Sequence, residues 1–339
     1  IRRPIMAVVK SEAYGHGLIE TARILQPATD WFGVVSGEEA LRLRHAGIRK
    51  PILVLSFYED SQVPELIRAR VALAVYDIRQ ARRISAVGKR LGLTGRVHLK
   101  IDTGTSRLGV LPPGFGSLVD AVMKLPGIKI EGVFSHLAAS EENSAFTAQQ
   151  NQAFELAIQE LSARGISALK HIACTAAGVA AAATRHDLVR LGLGLYGLWP
   201  SEKIRRQAGF RLTPALKWQT RIIQIKDLPK GANVGYGLSF RTKRPTKLAV
   251  LPIGYFDGYD RKLSNSGTVA VRKRRCPILG RVCMNLTMID VSGVPQVKVG
   301  DPVELIGPTI TADELAQKTG TINYEVVSRI NPLIPRRII

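Results

Sequence analysis

Ile5-Met6-Ala7-Val8-Val9-Lys10-Ser11-Glu12-Ala13-Tyr14-Gly15-His16-Gly17 opens as a short apolar run and ends in a lysine, a tyrosine and glycines. No Gly-x-Gly-x-x-Gly follows the run, which weakens the case for a dinucleotide-binding open sheet. Seven similar runs follow: Trp31–Val35, Pro51–Leu55, Ala72–Tyr76, Val97–Ile101, Ile130–Ser135, His171–Cys174 and Leu188–Leu195. They are almost continuously apolar, as strands covered on both faces must be. Amphipathic stretches such as Glu38–Arg44 and Thr147–Ala163 lie between them. Eight β-then-α units predict a (β/α)8 TIM barrel. From Thr213-Pro214 the pattern changes to Leu216–Ile225, Leu248–Ile253, Thr268–Val271, Arg281–Val291 and Pro302–Ile306, with only Thr311–Lys318 helical. The expected organisation is a barrel over residues 1–211 and a C-terminal β-rich domain over 212–339.

Composition narrows the class. The 339 residues are 45% apolar and 22% charged, ordinary for a globular protein. No apolar stretch approaches the roughly 18 residues that a membrane helix needs. The cysteines, Cys174, Cys276 and Cys283, are odd in number and form no Cys-x-x-Cys, so neither a disulfide framework nor a metal site is expected. A reducing, cytoplasmic setting fits them. Ile1 is not an initiator methionine, which points to a natural start upstream. The net charge of +21 raises nucleic acid as a partner. Yet the cations are dispersed, the one dense run, Arg272–Arg275, reads as a hairpin tip, and aromatics are only 6%. Neither a nucleic-acid partner nor a membrane is expected within this chain, while a signal or membrane domain upstream of Ile1 stays open.

Catalytic groups of a barrel sit at the C-terminal ends of its strands. Lys10 ends the first; Lys100 and Asp102 the fifth, with Arg107 after them; His136 the sixth; Cys174-Thr175 the seventh; Arg190 lies in the eighth, before Gly192 and Gly194. The group is cationic, and the loops after strands seven and eight are where barrels favour a phosphate. A lysine opposite a phosphate cradle suggests pyridoxal phosphate, held through a Schiff base. Cationic neighbours and partial burial would keep part of Lys10 neutral. Each residue alone has a plainer reading: a buried ion pair for a lysine or arginine, a core histidine for His136, a helix cap for Thr175. Their convergence on five strand ends outweighs these.

The same residues carry a resemblance. Ala7–Gly17 is similar to the cofactor-attachment segment of alanine racemases. The similarity continues through KIDTGTSRLG (100–109), GVFSHL (132–137), HIACTAAG (171–178), LVRLGLGLYG (188–197), VGYGLSF (234–240), LPIGYFDGY (251–259), GRVCMN (280–285) and INYEV (322–326). The resemblance implies a pyridoxal-phosphate-dependent homodimer that interconverts L- and D-alanine for peptidoglycan. Lys10 and Tyr236 would be its two bases, Tyr236 coming from a second subunit. It implies further that Arg190 contacts the pyridine nitrogen with His136 behind it. Tyr14, Thr175, Gly192 and the backbone at Leu193 would hold phosphate, Arg107 the substrate carboxylate, and Tyr255 and Met284 the rest of the substrate pocket. Lys100 is expected as an N-carboxylysine facing Arg107, with a plain lysine paired to Asp102 as the alternative.

Two departures bear on scope: Asn285 stands where many relatives carry aspartate, and Pro332 where they commonly carry a phosphate-binding tyrosine. They extend the expected substrates from alanine toward serine or beyond. A decarboxylase on the same barrel is disfavoured by Arg190, since an acidic residue is expected at that place. A non-catalytic cofactor carrier is disfavoured by the C-terminal domain with its tyrosines.

Overall fold

The structure, a computed structural model, describes residues 3–339, so Ile1 lies outside it. The chain divides into two compact units, Ile1–Ala13 with Gly17–Thr213, and Tyr14–His16 with Pro214–Ile339.

The first unit is a barrel of eight parallel strands: β1 (Ile5–Val8), β2 (Trp31–Ser36), β3 (Ile52–Phe57), β4 (Ala72–Val75), β5 (Gly95–Lys100), β6 (Ile128–Phe134), β7 (Leu169–His171) and β8 (Val189–Leu191). The hydrogen-bonded order runs β7-β6-β5-β4-β3-β2-β1-β8. Loop backbone closes the remaining seam: Asp187 N donates to Lys170 O at 3.1 Å and Arg190 N to Ala173 O at 3.1 Å. All four residues of β4 are buried, as expected of a strand covered on both faces. Met6, Leu53 and Ala72 from three different strands and Leu188, just before β8, form one buried cluster, joined by Trp31, Leu55 and Leu169.

After β1 the chain makes a one-turn left-handed segment, α1 (Lys10–Tyr14). Helices then follow as α2 (Leu18–Leu25), α3 (Gly37–His45), α4 (Val63–Arg68), α5 (Ile78–Leu91), α6 (Pro112–Met123), α7 (Ser144–Ala163), α8 (Thr175–Ala180) and α9 (Glu202–Gln207). Local chemistry sets their ends. In α5, Asp77 accepts from Arg79 N at the start, and Gly92 at φ 64° takes the left-handed C-cap. Strands seven and eight are shorter than the apolar runs predicted. The chain leaves the sheet after His171, where Ala173 O accepts from Arg190 N, and Leu193–Tyr196 turns into a 3-10 segment.

The second unit is antiparallel and β-rich, with two further helices, α10 (Ala312–Thr319) and α11 (Asn323–Ser328). Its sheets are β10 (Gln224–Leu228) with β13 (Thr246–Leu251) and β16 (Thr287–Asp290); β15 (Arg274–Pro277) with β14 (Thr268–Val271), β17 (Pro302–Ile306) and β9 (Trp218–Arg221); and the ribbon β11 (Asn233–Val234) with β12 (Phe240–Arg241). The expected strand Leu216–Ile225 is in fact two strands in different sheets. The expected Arg281–Val291 is a strand only from Thr287, because Cys283 N turns back to Leu286 O at 2.9 Å. The basic run is half turn and half strand: Arg272 and Lys273 have φ of 50° and 63°, and β15 begins at Arg274. Among the described residues, no helix is long and apolar enough to cross a membrane.

Candidate active site

Lys10 lies two residues after the end of β1. Its strand is anchored on both sides: Val9 N donates to Gly33 O at 2.9 Å, and the buried Tyr196 hydroxyl donates to Val8 O at 2.9 Å. Burial lowers the Lys10 pKa, Arg107 lowers it further, and Glu39 opposes them. An amine of lowered pKa at a strand end is thus a property of the fold itself.

Lys100, two residues after His98 on the same side of β5, is buried; its Nζ donates to Leu55 O at 3.3 Å and lies 5.3 Å from the Phe134 ring centre. Burial, then Arg107 and Arg190, push its pKa down to about 8. It forms no ion pair with Asp102 among the described residues. Burial works against the Asp102 carboxylate, but the N–H groups of Gly104, Thr105, Ser106 and Arg107 hold it below the usual range. Its Oδ1 accepts from Gly104 N and Thr105 N at 2.9 and 2.8 Å, and its Oδ2 from Arg107 N at 3.0 Å. Asp102 therefore shapes the loop that carries Arg107.

Arg190 is the most constrained cation. It is buried, and its two terminal nitrogens donate to Ser135 O (2.6 Å), His171 O (2.8 Å), Ile172 O (3.0 Å), His171 Nδ1 (2.8 Å) and His136 Nδ1 (3.3 Å). Nε takes part in none of these bonds. Burial brings the Arg190 pKa down to about 10, which leaves it charged at neutral pH. The resemblance implied only His136 as its support. His171 is a shorter contact, and its Nε2 lies 2.9 Å from His98 Nδ1. Because Arg190 donates to Nδ1, neutral His171 carries its proton on Nε2 and donates to His98. Burial and then Arg190 hold His98 and His136 at about 3 and push His171 well below its usual value. Phe134 stacks on His171 at 4° and faces Arg190 and Lys100. His98 and His171 were missed because a histidine inside an apolar strand gives no sign of its partner; the spacing of His98 and Lys100 was the available signal.

Thr175 opens α8, and its Oγ1 accepts from Gly192 N at 3.1 Å. A Cβ on Gly194 would come within 2.7 Å of the Thr175 methyl, so only glycine lets the two loops approach this closely. Leu193 is buried between them in sequence and starts the 3-10 segment. The structure therefore brings together, within the barrel, Lys10, Lys100, Arg107, His136 and Arg190 through mutual electrostatics, and Thr175 with Gly192 and Gly194 by contact.

The other predicted residues belong to the second unit. The Tyr14 ring lies 6.2 Å from that of Tyr324, and Arg336 donates to Gly15 O from two nitrogens at 3.0 and 2.8 Å. Tyr236 is 72% exposed on a 3-10 turn whose Gly237 lies against Arg281. Tyr255 N donates to Cys283 O and Phe256 N to Met284 O, both at 3.0 Å, so Tyr255 and the 55% exposed Met284 share one loop pair. Asn331 Nδ2 donates to Phe256 O at 3.0 Å, which seats Pro332 beside that pair.

The donor set of the barrel suits an anionic, aldehyde-bearing group such as pyridoxal phosphate: an amine of lowered pKa, a hydroxyl with glycine backbone beside it, and arginines in excess of carboxylates. Comparison with known proteins agrees. The family models described as "Alanine racemase, N-terminal domain" and "Alanine racemase, C-terminal domain" match residues 2–200 and 215–338. Alanine racemase 2 of Caldanaerobacter subterraneus subsp. tengcongensis is 39% identical over 343 residues, covering 99% of this chain and 88% of the relative. The alanine racemase of Desulfosudis oleivorans is 41% identical over 348 residues, covering 98% and 89%. The solved alanine racemase of Clostridium difficile 630 superposes with a TM-score of 0.93 at 34% identity, covering 97% of this chain and 87% of that one. The chain belongs to the alanine racemase family.

Proposed function

We propose that the protein interconverts L- and D-alanine with pyridoxal phosphate by a two-base mechanism, as a homodimer in the cytoplasm, supplying D-alanine for peptidoglycan. The observation that carries this reading is a half-buried lysine of lowered pKa at a barrel strand end, faced by a cation cluster. When bound, pyridoxal phosphate supplies an electron sink that acidifies the substrate's α-hydrogen. Lys10 holds the cofactor and moves a proton at the α-carbon from one side. Tyr236 does so from the other side; its exposure in a single chain is what supply to a second copy requires. Arg190 offers Nε to the pyridine nitrogen. Since it remains charged, it does not give up a proton there, so the sink stays weak and reaction beyond proton transfer is limited. Tyr14, Thr175 and the backbone of Gly192 and Leu193 hold phosphate; Arg107 orients the substrate carboxylate; Tyr255 and Met284 enclose the side chain.

Lys100 is the group we assign to carbamate formation. With a pKa of about 8, a fraction is neutral and able to add carbon dioxide, which turns a cation facing Arg107 into an anion. An intact mass showing free amine alone would remove this assignment. Pro332, seated by Asn331 near Tyr255, favours a second reading in which serine is also turned over. A racemisation assay across a panel of L-amino acids with added cofactor tests the whole. Alanine is expected to dominate with serine detectable, and no racemisation of any amino acid would overturn it.

A further inference from the structure

We propose that Glu39 is the positioning residue for Lys10: its buried carboxylate holds the backbone amide that follows the lysine and is the anion facing the amine. Glu39 stands at the third position of α3, after the N-cap Ser36, whose hydroxyl accepts from Glu39 N at 3.3 Å. In an ordinary capping box its side chain would return to the N-cap amide. Here Oε2 instead accepts from Val35 N at 2.8 Å, and Oε1 crosses to accept from Ser11 N at 2.6 Å. Glu39 is only 9% exposed, so both bonds form out of water, where an ionised acceptor is strong.

The crossing bond lies where the backbone needs it. Ser11, Glu12, Ala13 and Tyr14 all have φ between 52° and 55°, a left-handed turn of non-glycine residues. Such a turn crowds Cβ against the following carbonyl and persists only where its surroundings hold it. Glu39 holds its first amide, Ala13 N donates to Val9 O at 2.9 Å, and Glu12 Oε2 accepts from Leu18 N at 3.2 Å. The charged groups facing Lys10 are Glu39 from α3, Lys100 from β5, Arg107 from the loop after it, and, neutral by its depressed pKa, His136 after β6; Glu12 on its own turn is paired with Arg42. Glu39 is the anion that opposes Arg107 at the amine.

The inference rests on Lys10 being the reactive amine, and its test is read without turnover. The full chain, freed of cofactor, is acetylated competitively with acetic anhydride across pH, and the Lys10 peptide is quantified by mass spectrometry with exposed Lys89 as reference. Glu39→Gln should lower the Lys10 midpoint by about 0.5–1 pH unit, since a counter-charge is lost, and leave Lys89 unmoved. Glu39→Asp keeps the charge and should restore most of the midpoint, while hydrogen exchange at the Ser11 amide rises at least about tenfold. A folded Glu39→Gln protein whose Lys10 midpoint is unchanged or raised overturns the proposal. Should Glu39→Gln not fold, wild-type exchange decides: a Ser11 amide as protected as β1 supports it, and one exchanging as a free loop overturns it. Failure of the Lys10 reading would look different, as cofactor absorbance surviving Lys10→Ala.

Discussion

The barrel around Arg190 and the loops around Tyr236 invert the usual distribution of side chains in opposite ways. In the first, a charged guanidinium is buried, yet carbonyls and histidines of the same chain accept from both of its terminal nitrogens. In the second, Tyr236, Leu238, Tyr255, Phe256, Met284 and Leu286 are exposed apolar or aromatic side chains on adjoining turns of one unit. Exposed apolar groups gathered this way mark a surface meant for contact. In the proposed dimer, the first region needs nothing beyond its own chain, and the second would be covered by the other copy.

Mixing two defective variants tests that contrast most strongly. Lys10→Ala should lose about a thousandfold or more in kcat and the visible absorbance of bound cofactor. Tyr236→Phe should lose about a hundredfold or more while exchange of the α-hydrogen with solvent persists for one alanine enantiomer. If Tyr236 serves the other subunit's Lys10, mixed dimers contain one intact site, and random re-association restores about a quarter of the wild-type activity. A mixture no more active than its components would show that each chain completes its own site.

Next in size is Arg190→Ala. The substitution strands the Ser135 and Ile172 carbonyls and two histidine nitrogens in the barrel, leaves His171 O only its long bond from Ser135 N, and should lower the unfolding free energy by about 3 kcal/mol or more, measured in urea. Loss within 1 kcal/mol would mean that water replaces the guanidinium and that the region is wetter than its burial shows.

How much of this was readable beforehand differs between the two regions for a physical reason. Lys10, Lys100, Arg107 and Arg190 stood out because a charge at the end of an apolar strand breaks a strong local pattern. Glu39 did not, since an acidic residue in a helix's first turn is what any helix prefers. His98 and His171 were hidden because a pairing 73 residues apart has no local signature. In the second unit, residues 281–286 are mostly apolar and run into a true strand, but Gly280 at φ 74° and the Cys283–Leu286 turn carry them out of the sheet. Composition reports burial and pleat, and it is silent on a loop that presents such residues outward.

The buried histidines make a pH prediction of intermediate size. His98 and His136, at about 3, are neutral in the fold at any pH above about 5, and burial depresses His171 in the same direction. In the unfolded chain they take protons below about 6.5. A depressed histidine therefore withdraws stability as pH falls from 6.5 toward 3, by at most about 1.4 kcal/mol per pH unit for each. Urea midpoints should decline steadily from pH 7 to pH 5. His98→Asn, whose carbonyl can still accept from His171, should make that decline shallower by about a third. An unchanged slope would mean that His98 is not held neutral.

The smallest effect belongs to the exposed loops. Leu238 is 69% exposed, so Leu238→Ser removes little buried area within the chain and should leave subunit unfolding within about 0.5 kcal/mol. If a second copy covers these turns, the same change has a second consequence that the chain alone does not predict. The dissociation constant of the dimer should rise about tenfold, the equivalent of burying one leucine less well on each side, measured by sedimentation across protein concentration. Activity per subunit should then fall on dilution sooner than in the wild type, because Tyr236 leaves with the partner. Should Leu238→Ser instead destabilise the single subunit with no change in dissociation, the loop packs on its own chain, and the contrast between a finished and an unfinished region fails at that residue.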